Sequence, residues 1–192
     1  MKPNFQDKIA QAPSRIILHM NPIFELLPIP IWRYDDPFLP FAKAIIPATH
    51  DLVAGYLFNF PRYLAMAGAG AVALERSIAL VPQDRVRILH APFVGDTYSA
   101  MADATAFDVD ALTVIHKEDY QYYSDNPPFT AFMMSHANND DKDNTYNSDT
   151  QQLHYQANGQ TKTFKLTTND ILYASKNDDF LDKLCEGIQS LI

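Results

Sequence analysis

The sequence has little of several residue types, and each scarcity limits what the protein does. Cys185 is the single cysteine among 192 residues, so an internal disulfide is excluded and a reducing compartment is favoured. Only 15 residues are Lys or Arg, against 23 Asp or Glu, and the net charge is −8. Nucleic acids and anionic membranes bind basic surfaces, so we expect neither of them as a partner.

Long apolar runs are also missing. The longest uncharged one, YLAMAGAGAVAL at 63–74, has 12 residues, whereas a helix that spans a bilayer needs about 20. The start of the chain, MKPNFQDKIAQAPSR, has no apolar segment of the kind found in secretory signals. These features predict a soluble, cytoplasmic protein in which residues 1–13 form a loose leader.

The composition supplies enough apolar material for one core. Apolar residues make up 47% of the chain and aromatic residues 12%, which is typical of a single domain over residues 1–192. Residues 21–47 hold six of the 13 prolines and several aromatic residues, which predicts an irregular arm packed on the core. The alternative is a lid or a contact surface for a second copy or a partner protein. Residues 136–150 are polar and acidic, and they predict a surface loop.

Short apolar runs and one tight turn indicate the fold class. Asn158-Gly159 lies between two alternating segments in 153–166, which is typical of a β-hairpin. The last residues, NDDFLDKLCEGIQSLI, have the spacing of an amphipathic helix. We therefore predict an α/β or α+β domain, with a mixed β-sheet flanked by helices, a C-terminal hairpin and a terminal helix. The predicted core strands lie near 14–19, 85–91, 111–116 and 129–135.

Residues 61–91 fit two local structures. One is a long helix with Pro61 in its first turn and Pro82 at its end. The other is a strand, a glycine turn and a helix, followed by the strand near 85–91. In the second case residues 68–73, GAGAVA, match GxGxxG/A, a pattern that lets a phosphate approach a helix N-terminus, and Gly68, Gly70 and Ala71 are the candidate binding residues. The acid expected about 20 residues later for a dinucleotide is absent, and close helix packing by small residues also explains the pattern.

Four apolar runs end in a histidine, and this recurrence is the strongest functional signal. The residues are His19, His90, His116 and His136. In a parallel sheet the carboxyl ends of the strands share one edge, so distant histidines can converge there. In an antiparallel sheet alternate histidines would lie at opposite edges, and each would then be structural.

The chemistry of such a cluster depends on whether a metal is bound. Three imidazoles, His19, His90 and His116, would form an open site for a divalent metal that activates water. Without metal, a histidine beside a carboxylate acts as a general base. The candidate catalytic residues, which combine the histidines with nearby acids, are His90, His116, Asp96 and Glu118.

Three functions fit these patterns. The first, which we favour, is an enzyme that acts on a small polar metabolite as a hydrolase or lyase, with or without a metal. The second is a protein that binds a nucleotide or phosphate through the glycine turn at 68–71. The third is a non-catalytic subunit of an oligomer or complex, with residues 21–47 as its contact surface.

Overall fold

A closed barrel of eight strands forms the centre of the computed structural model. The structure describes residues 3–91, 100–101, 103, 105–125, 129–135 and 143–192. The strands that form the barrel are β1 (Ile16–Met20), β2 (Gly55–Asn59), β3 (Val86–His90), β4 (Ala111–Val114), β5 (Thr130–Ser135), β6 (Thr145–Asn147), β7 (Gln152–Ala157) and β8 (Gln160–Leu166).

Helices lie outside the barrel and at one of its ends. They are α1 (Phe5–Ala10), α2 (Phe38–Thr49), α3 (Phe60–Leu64), α4 (Ala67–Ala79), α5 (Lys117–Asp125), α6 (Asn169–Leu172) and α7 (Phe180–Gln189). Two 3₁₀ turns, Phe24–Leu26 and Ile29–Ile31, precede α2. Among the described residues, no helix combines the length and the apolar character needed to cross a bilayer.

The strand directions give the barrel two different ends. Strands β1 to β6 pair in chain order and run parallel, while β7 runs antiparallel to both of its neighbours. Strand β8 then pairs in parallel with β1 and closes the barrel. The carboxyl ends of β1 to β6 therefore share one end, which we call the mouth, and the opposite end is the floor. The β7–β8 turn places Asn158 and Gly159 at positive φ, as a two-residue hairpin turn requires.

Alternation along each strand produces two separate cores. Side chains such as Ile17, Leu57 and Ile88 fill the inside of the barrel. Their neighbours Leu18 and Tyr56 point outward and pack against the helices. Both faces of the parallel strands are thus covered, which explains why they occur in the sequence as continuous apolar runs. The predicted mixed sheet flanked by helices is confirmed, and it closes on itself, which the sequence did not predict.

The floor is closed by α1, so the prediction of a loose leader at 1–13 is wrong. Phe5 and Ile9 are buried inside the barrel core. Between them, the buried Lys8 ammonium donates to both carboxylate oxygens of Asp110, at 2.8 and 2.7 Å, and to the carbonyl of Arg85. Two apolar anchors and one ion pair therefore attach the segment, although it looks polar in the sequence.

Two other segments are more regular than predicted. Residues 21–47 contain the two 3₁₀ turns and most of α2, in which Phe41, Ala42 and Ile45 are buried. Residues 145–147 of the predicted loop at 136–150 form β6 of the barrel. Residues 136–142 lie outside the described part of the chain.

The segment 61–79 is helical and is broken once, so the strand–turn–helix alternative is wrong. Residues 65 and 66 separate α3 from α4, and Ala67, which begins α4, has a φ of +50°. Gly68, Gly70 and Ala71 all lie within α4 and form no phosphate-binding turn. A Cβ atom at Gly70 would overlap the carbonyl oxygen of Tyr63, whereas at Gly68 it would meet nothing within 4 Å. Close packing of α4 on α3 therefore explains one glycine of the motif.

The buried ion pair predicts a large effect of replacing Lys8. Lys8→Met leaves the Asp110 carboxylate buried without its cation, and we expect a loss of about 3–5 kcal/mol in the free energy of unfolding. Urea denaturation measures this change. Lys183→Met is the control, because the Lys183–Glu186 pair is exposed and its removal should leave the urea midpoint unchanged. An equally small effect of both substitutions would contradict the structural role of Lys8.

The two glycines of α4 predict opposite effects of alanine. Gly70→Ala forces α4 away from α3, and we expect a loss of about 1–3 kcal/mol in the free energy of unfolding. Gly68→Ala adds a methyl group in open space and improves helix propensity, so a gain of up to about 1 kcal/mol is expected. Thermal and urea denaturation of the two variants test this pair. Destabilisation by both would contradict it and would point to a role of Gly68 outside helix packing.

Candidate functional site

The inner face of the barrel becomes polar at the mouth. Below it, the inward positions carry apolar side chains such as Ile17, Leu57 and Ile88. Two residues further along β1, β2 and β3, the same face carries His19, Asn59 and His90. Alternation with a period of two fixes this arrangement, because every second residue of a strand points to the same side.

His90 lies at the centre of a polar row across three strands. The strand register places Asn59 beside His90, and His90 beside Thr113. The Nδ1 atom of His90 is 2.9 Å from the Thr113 hydroxyl oxygen, within hydrogen-bond distance. The Tyr146 ring of β6 meets the imidazole edge to face, with 5.3 Å between ring centroids. These contacts hold the ring in one orientation inside the barrel.

His19 has a buried ring nitrogen without a hydrogen bond. Its backbone N–H donates to the Thr167 hydroxyl at 3.0 Å, which positions the residue where β8 meets β1. Its Nε2 atom is shielded from solvent and makes no hydrogen bond of ordinary distance and angle to the described residues, although the Gln151 side chain lies near the ring. A buried polar nitrogen of this kind is costly, and it marks the place where a ligand or a bound water would complete the structure.

Both imidazoles are uncharged near neutral pH. The pKa of His19 is lowered to about 4, mainly by burial and also by the nearby His90, while the Gln151 side chain partly opposes the shift. Burial likewise lowers the pKa of His90 to about 4. A neutral imidazole offers one N–H donor and one acceptor nitrogen. The two rings can therefore bind both donors and acceptors of a ligand, and they carry no net positive charge.

Three asparagines extend the polar surface along the mouth. The Asn59 amide donates to the Asn21 side-chain oxygen at 3.0 Å, and the Asn21 amide donates to Asn169 at 3.1 Å. The Tyr173 hydroxyl donates to the Asn21 carbonyl at 2.7 Å and accepts from the Ile23 N–H at 2.8 Å. These asparagines were not among the predicted site residues. The signal was their position, because Asn21 directly follows β1 and Asn59 ends β2 and caps α3.

The predicted cluster of His19, His90 and His116 is therefore only partly formed. His19 and His90 face the same interior, but His116 is exposed just before α5, because β4 ends at Val114 and the chain turns outward there. Glu118 is exposed on the first turn of α5. Asp96 and His136 lie outside the described residues.

A metal centre is not formed by the part of the chain that the structure describes. That part contains no group of three or more His, Cys, Asp or Glu residues arranged to hold a metal ion. The predicted ligand set of His19, His90 and His116 is wrong for the same geometric reason as the cluster, because His116 is outside the barrel.

The lowered pKa values predict acid sensitivity. Between pH 6.5 and 4 the unfolded chain takes up protons on His19 and His90 that the folded chain does not, so the free energy of unfolding falls as the pH is lowered. The loss for each ring is at most about 3 kcal/mol. Urea midpoints at pH 7 and pH 4.5 measure it.

The matched variants for this experiment are His90→Gln and His154→Gln. His154 also pairs with a threonine across a strand, with Nδ1 3.0 Å from the Thr163 hydroxyl oxygen, but it lies on the outer face. We expect His90→Gln to flatten the acid dependence and His154→Gln to retain it. An unchanged slope in His90→Gln would contradict the burial of a neutral ring.

Comparison with known proteins indicates one group of relatives. No family model matches the chain. An orotidine 5'-phosphate decarboxylase of Herpetosiphon aurantiacus is 33% identical over 145 residues, which cover 70% of this chain and 53% of that protein. The same enzyme of Thermomicrobium roseum is 34% identical over 117 residues, covering 59% of this chain and 42% of the relative.

A solved structure gives the same result. The crystal structure described as an orotidine-monophosphate-decarboxylase of Toxoplasma gondii superimposes with a TM-score of 0.61 and 25% identity, over 72% of this chain and 50% of that one. The chain thus spans about half the length of the curated relatives it matches. The barrel resembles the fold of that orotidine-monophosphate-decarboxylase structure. In this protein, the polar mouth lies at the carboxyl ends of the strands.

Proposed function

We propose that this protein binds a small polar ligand of the pyrimidine-nucleotide class at the mouth of its barrel. The observation that carries the proposal is the polar row of Asn59, His90 and Thr113, together with His19, on the inner face at the carboxyl ends of parallel strands. Ligands of barrels built from parallel strands bind at this end. The likeness to orotidine 5'-phosphate decarboxylases supplies the ligand class.

The groups at the mouth suit the parts of such a ligand. A pyrimidine ring carries carbonyl oxygens, and its ring N–H is a donor. The Asn59 amide and the neutral rings of His19 and His90 can satisfy both kinds of group. The amides of Asn21 and Asn169, at the edge of the mouth, are suited to sugar hydroxyls because they combine donors and acceptors.

A second candidate is decarboxylation itself, which the names of the relatives favour. In that reaction the bond between a ring carbon and its carboxylate breaks, carbon dioxide leaves, and the electron pair left on the ring carbon takes up a proton. The step is helped by a nearby cation and an acid that supplies the proton. The inward residues described at the mouth, His19, Asn59, His90, Thr113 and Tyr146, provide neutral hydrogen-bonding groups, so the geometry supports binding better than turnover.

The earlier hypotheses fit this site to different degrees. His19 and His90 remain as ligand contacts, while metal-assisted hydrolysis loses its basis with the displaced His116. The contact surface in residues 21–47 remains a prediction, and the half-exposed side chains of Phe24, Ile29 and Trp32 support it. That surface is independent of ligand binding at the mouth.

Calorimetric titration with uridine 5'-phosphate tests the proposal. We expect saturable binding, and Thr113→Val should weaken it about three- to tenfold because the hydroxyl that orients His90 is lost. Thr163→Val is the control, since it removes the equivalent hydroxyl beside His154 on the outer face. Absence of binding at millimolar nucleotide, or equal effects of the two substitutions, would refute the proposal.

The second candidate is tested with the same protein. Incubation with orotidine 5'-phosphate, followed by chromatography of the nucleotides, detects the decarboxylated product directly. Turnover that depends on the protein would favour the decarboxylase. Binding without product favours the binding protein that we propose.

A further inference from the structure

We infer that the mouth selects a nucleotide with an uncharged pyrimidine over one that carries a ring carboxylate. The inference rests on the proposed function and specifies its ligand. Among pyrimidine nucleotides, it favours uridine 5'-phosphate over orotidine 5'-phosphate. The two differ by the single carboxylate on the ring, so the preference is a property of the groups that surround the base.

The His19 ring nitrogen offers a hydrogen-bonding partner to an uncharged base. This Nε2 atom is buried at the inner face and makes no hydrogen bond of ordinary distance and angle to the described residues, although the Gln151 side chain lies near the ring. An unpaired buried nitrogen loses the hydrogen bonds it would make in water, so a ligand atom that reaches it recovers that loss. Because the ring is neutral, it pairs equally well with the N–H or the carbonyl of an uncharged base.

The described residues around the base offer no charge compensation for a carboxylate. A carboxylate moved from water into a buried site needs a cation or several donors directed at it. The inward residues described at this level are His19, Asn59, His90, Thr113 and Tyr146, and none carries a formal positive charge at neutral pH. The carboxylated base would therefore lose its hydration there without a matching gain.

The cations on the neighbouring strand are directed elsewhere. Arg87 lies on β3, but its guanidinium group binds Asp108 at 2.7 Å and the carbonyl of Val81 on the outer side. Arg85 precedes β3 at the floor end and donates to the carbonyl of His50 at 2.6 Å. Lys8 is held at the floor by Asp110. These three basic residues thus stabilise the barrel wall and floor and are not directed into the mouth.

Titration of the unmodified protein with both nucleotides is the direct test. We expect uridine 5'-phosphate to bind at least tenfold more tightly than orotidine 5'-phosphate at pH 7.5. Equal binding, or tighter binding of orotidine 5'-phosphate, would overturn this inference and leave the proposed function intact. Binding of neither nucleotide would remove both.

A designed cation gives the reverse test. Met134→Lys places an ammonium group on the inner face of β5, where Met134 pairs with Tyr146 and packs against the interior core. We expect it to improve orotidine 5'-phosphate binding about tenfold and to leave uridine 5'-phosphate binding nearly unchanged. Met133→Lys is the control, because the adjacent position faces outward and should alter neither affinity. Equal effects of the two lysines would contradict the inference.

The role of the unpaired nitrogen is tested by His19→Phe, with His154→Phe as its matched control. Phenylalanine keeps a flat ring in the interior but removes both nitrogens, so the base loses its partner. We expect about tenfold weaker binding of uridine 5'-phosphate to His19→Phe. The control changes an outward ring and should bind like the unmodified protein. Full affinity in a folded His19→Phe variant would overturn this part of the inference.

Discussion

The period-two alternation of side chains on a closed sheet is the constraint on which the rest of this structure depends. Because the barrel has an inside, each strand must bury one set of residues within it and the other set against helices. Moving β1 by one residue would turn His19 outward and Leu18 inward. The alternation that forms the core therefore also places the polar side chains at the mouth. It also excludes His116, which follows β4 after the alternation has ended.

Titratable side chains are buried as ions at one end of the barrel and as neutral groups at the other. At the floor, a full ion pair between Lys8 and Asp110 is buried, and Asp110 also accepts the backbone N–H of Arg87 at 2.8 Å. Each charge is compensated, so the floor is fixed. At the mouth, His19 and His90 remain polar by giving up their charge, since burial lowers the pKa of both. Compensated ions suit a permanent closure, whereas neutral donors and acceptors can exchange water for a ligand.

The sequence predicted the parts of the fold that depend on local pattern. The predicted strand at 85–91 matches β3 (Val86–His90) closely, and the strand at 129–135 matches β5 (Thr130–Ser135), because strands with two buried faces are continuous apolar runs. Barrel closure was not predictable in this way. It depends on the pairing of Ile16 and Ile17 with Lys165 and Leu166, about 150 residues apart, which no local pattern encodes.

The sequence predicted part of the candidate site. The positions of His19 and His90 were predicted correctly, and that of His116 was not. His19 and His90 lie near the carboxyl ends of parallel strands and face inward, so both reach the mouth as predicted. His116 also follows an apolar run, but the strand ends at Val114, and the ring lies outside the barrel just before α5. The asparagines were missed because Asn21 and Asn59 look like ordinary turn and cap residues, and only the folded chain joins them by a hydrogen bond.

The position of His19 links ligand binding to the closure of the barrel. Strands β1 and β8 meet over two registered pairs, and backbone bonds from Lys165 to Arg15 and from Thr167 to Ile17 extend this contact. The Thr167 hydroxyl then accepts the N–H of His19 and completes the junction. A ligand held by the His19 ring is therefore attached at the junction where the ends of the sheet meet. Since a ligand that binds only the folded state stabilises it, binding at this point strengthens the pairing that closes the sheet.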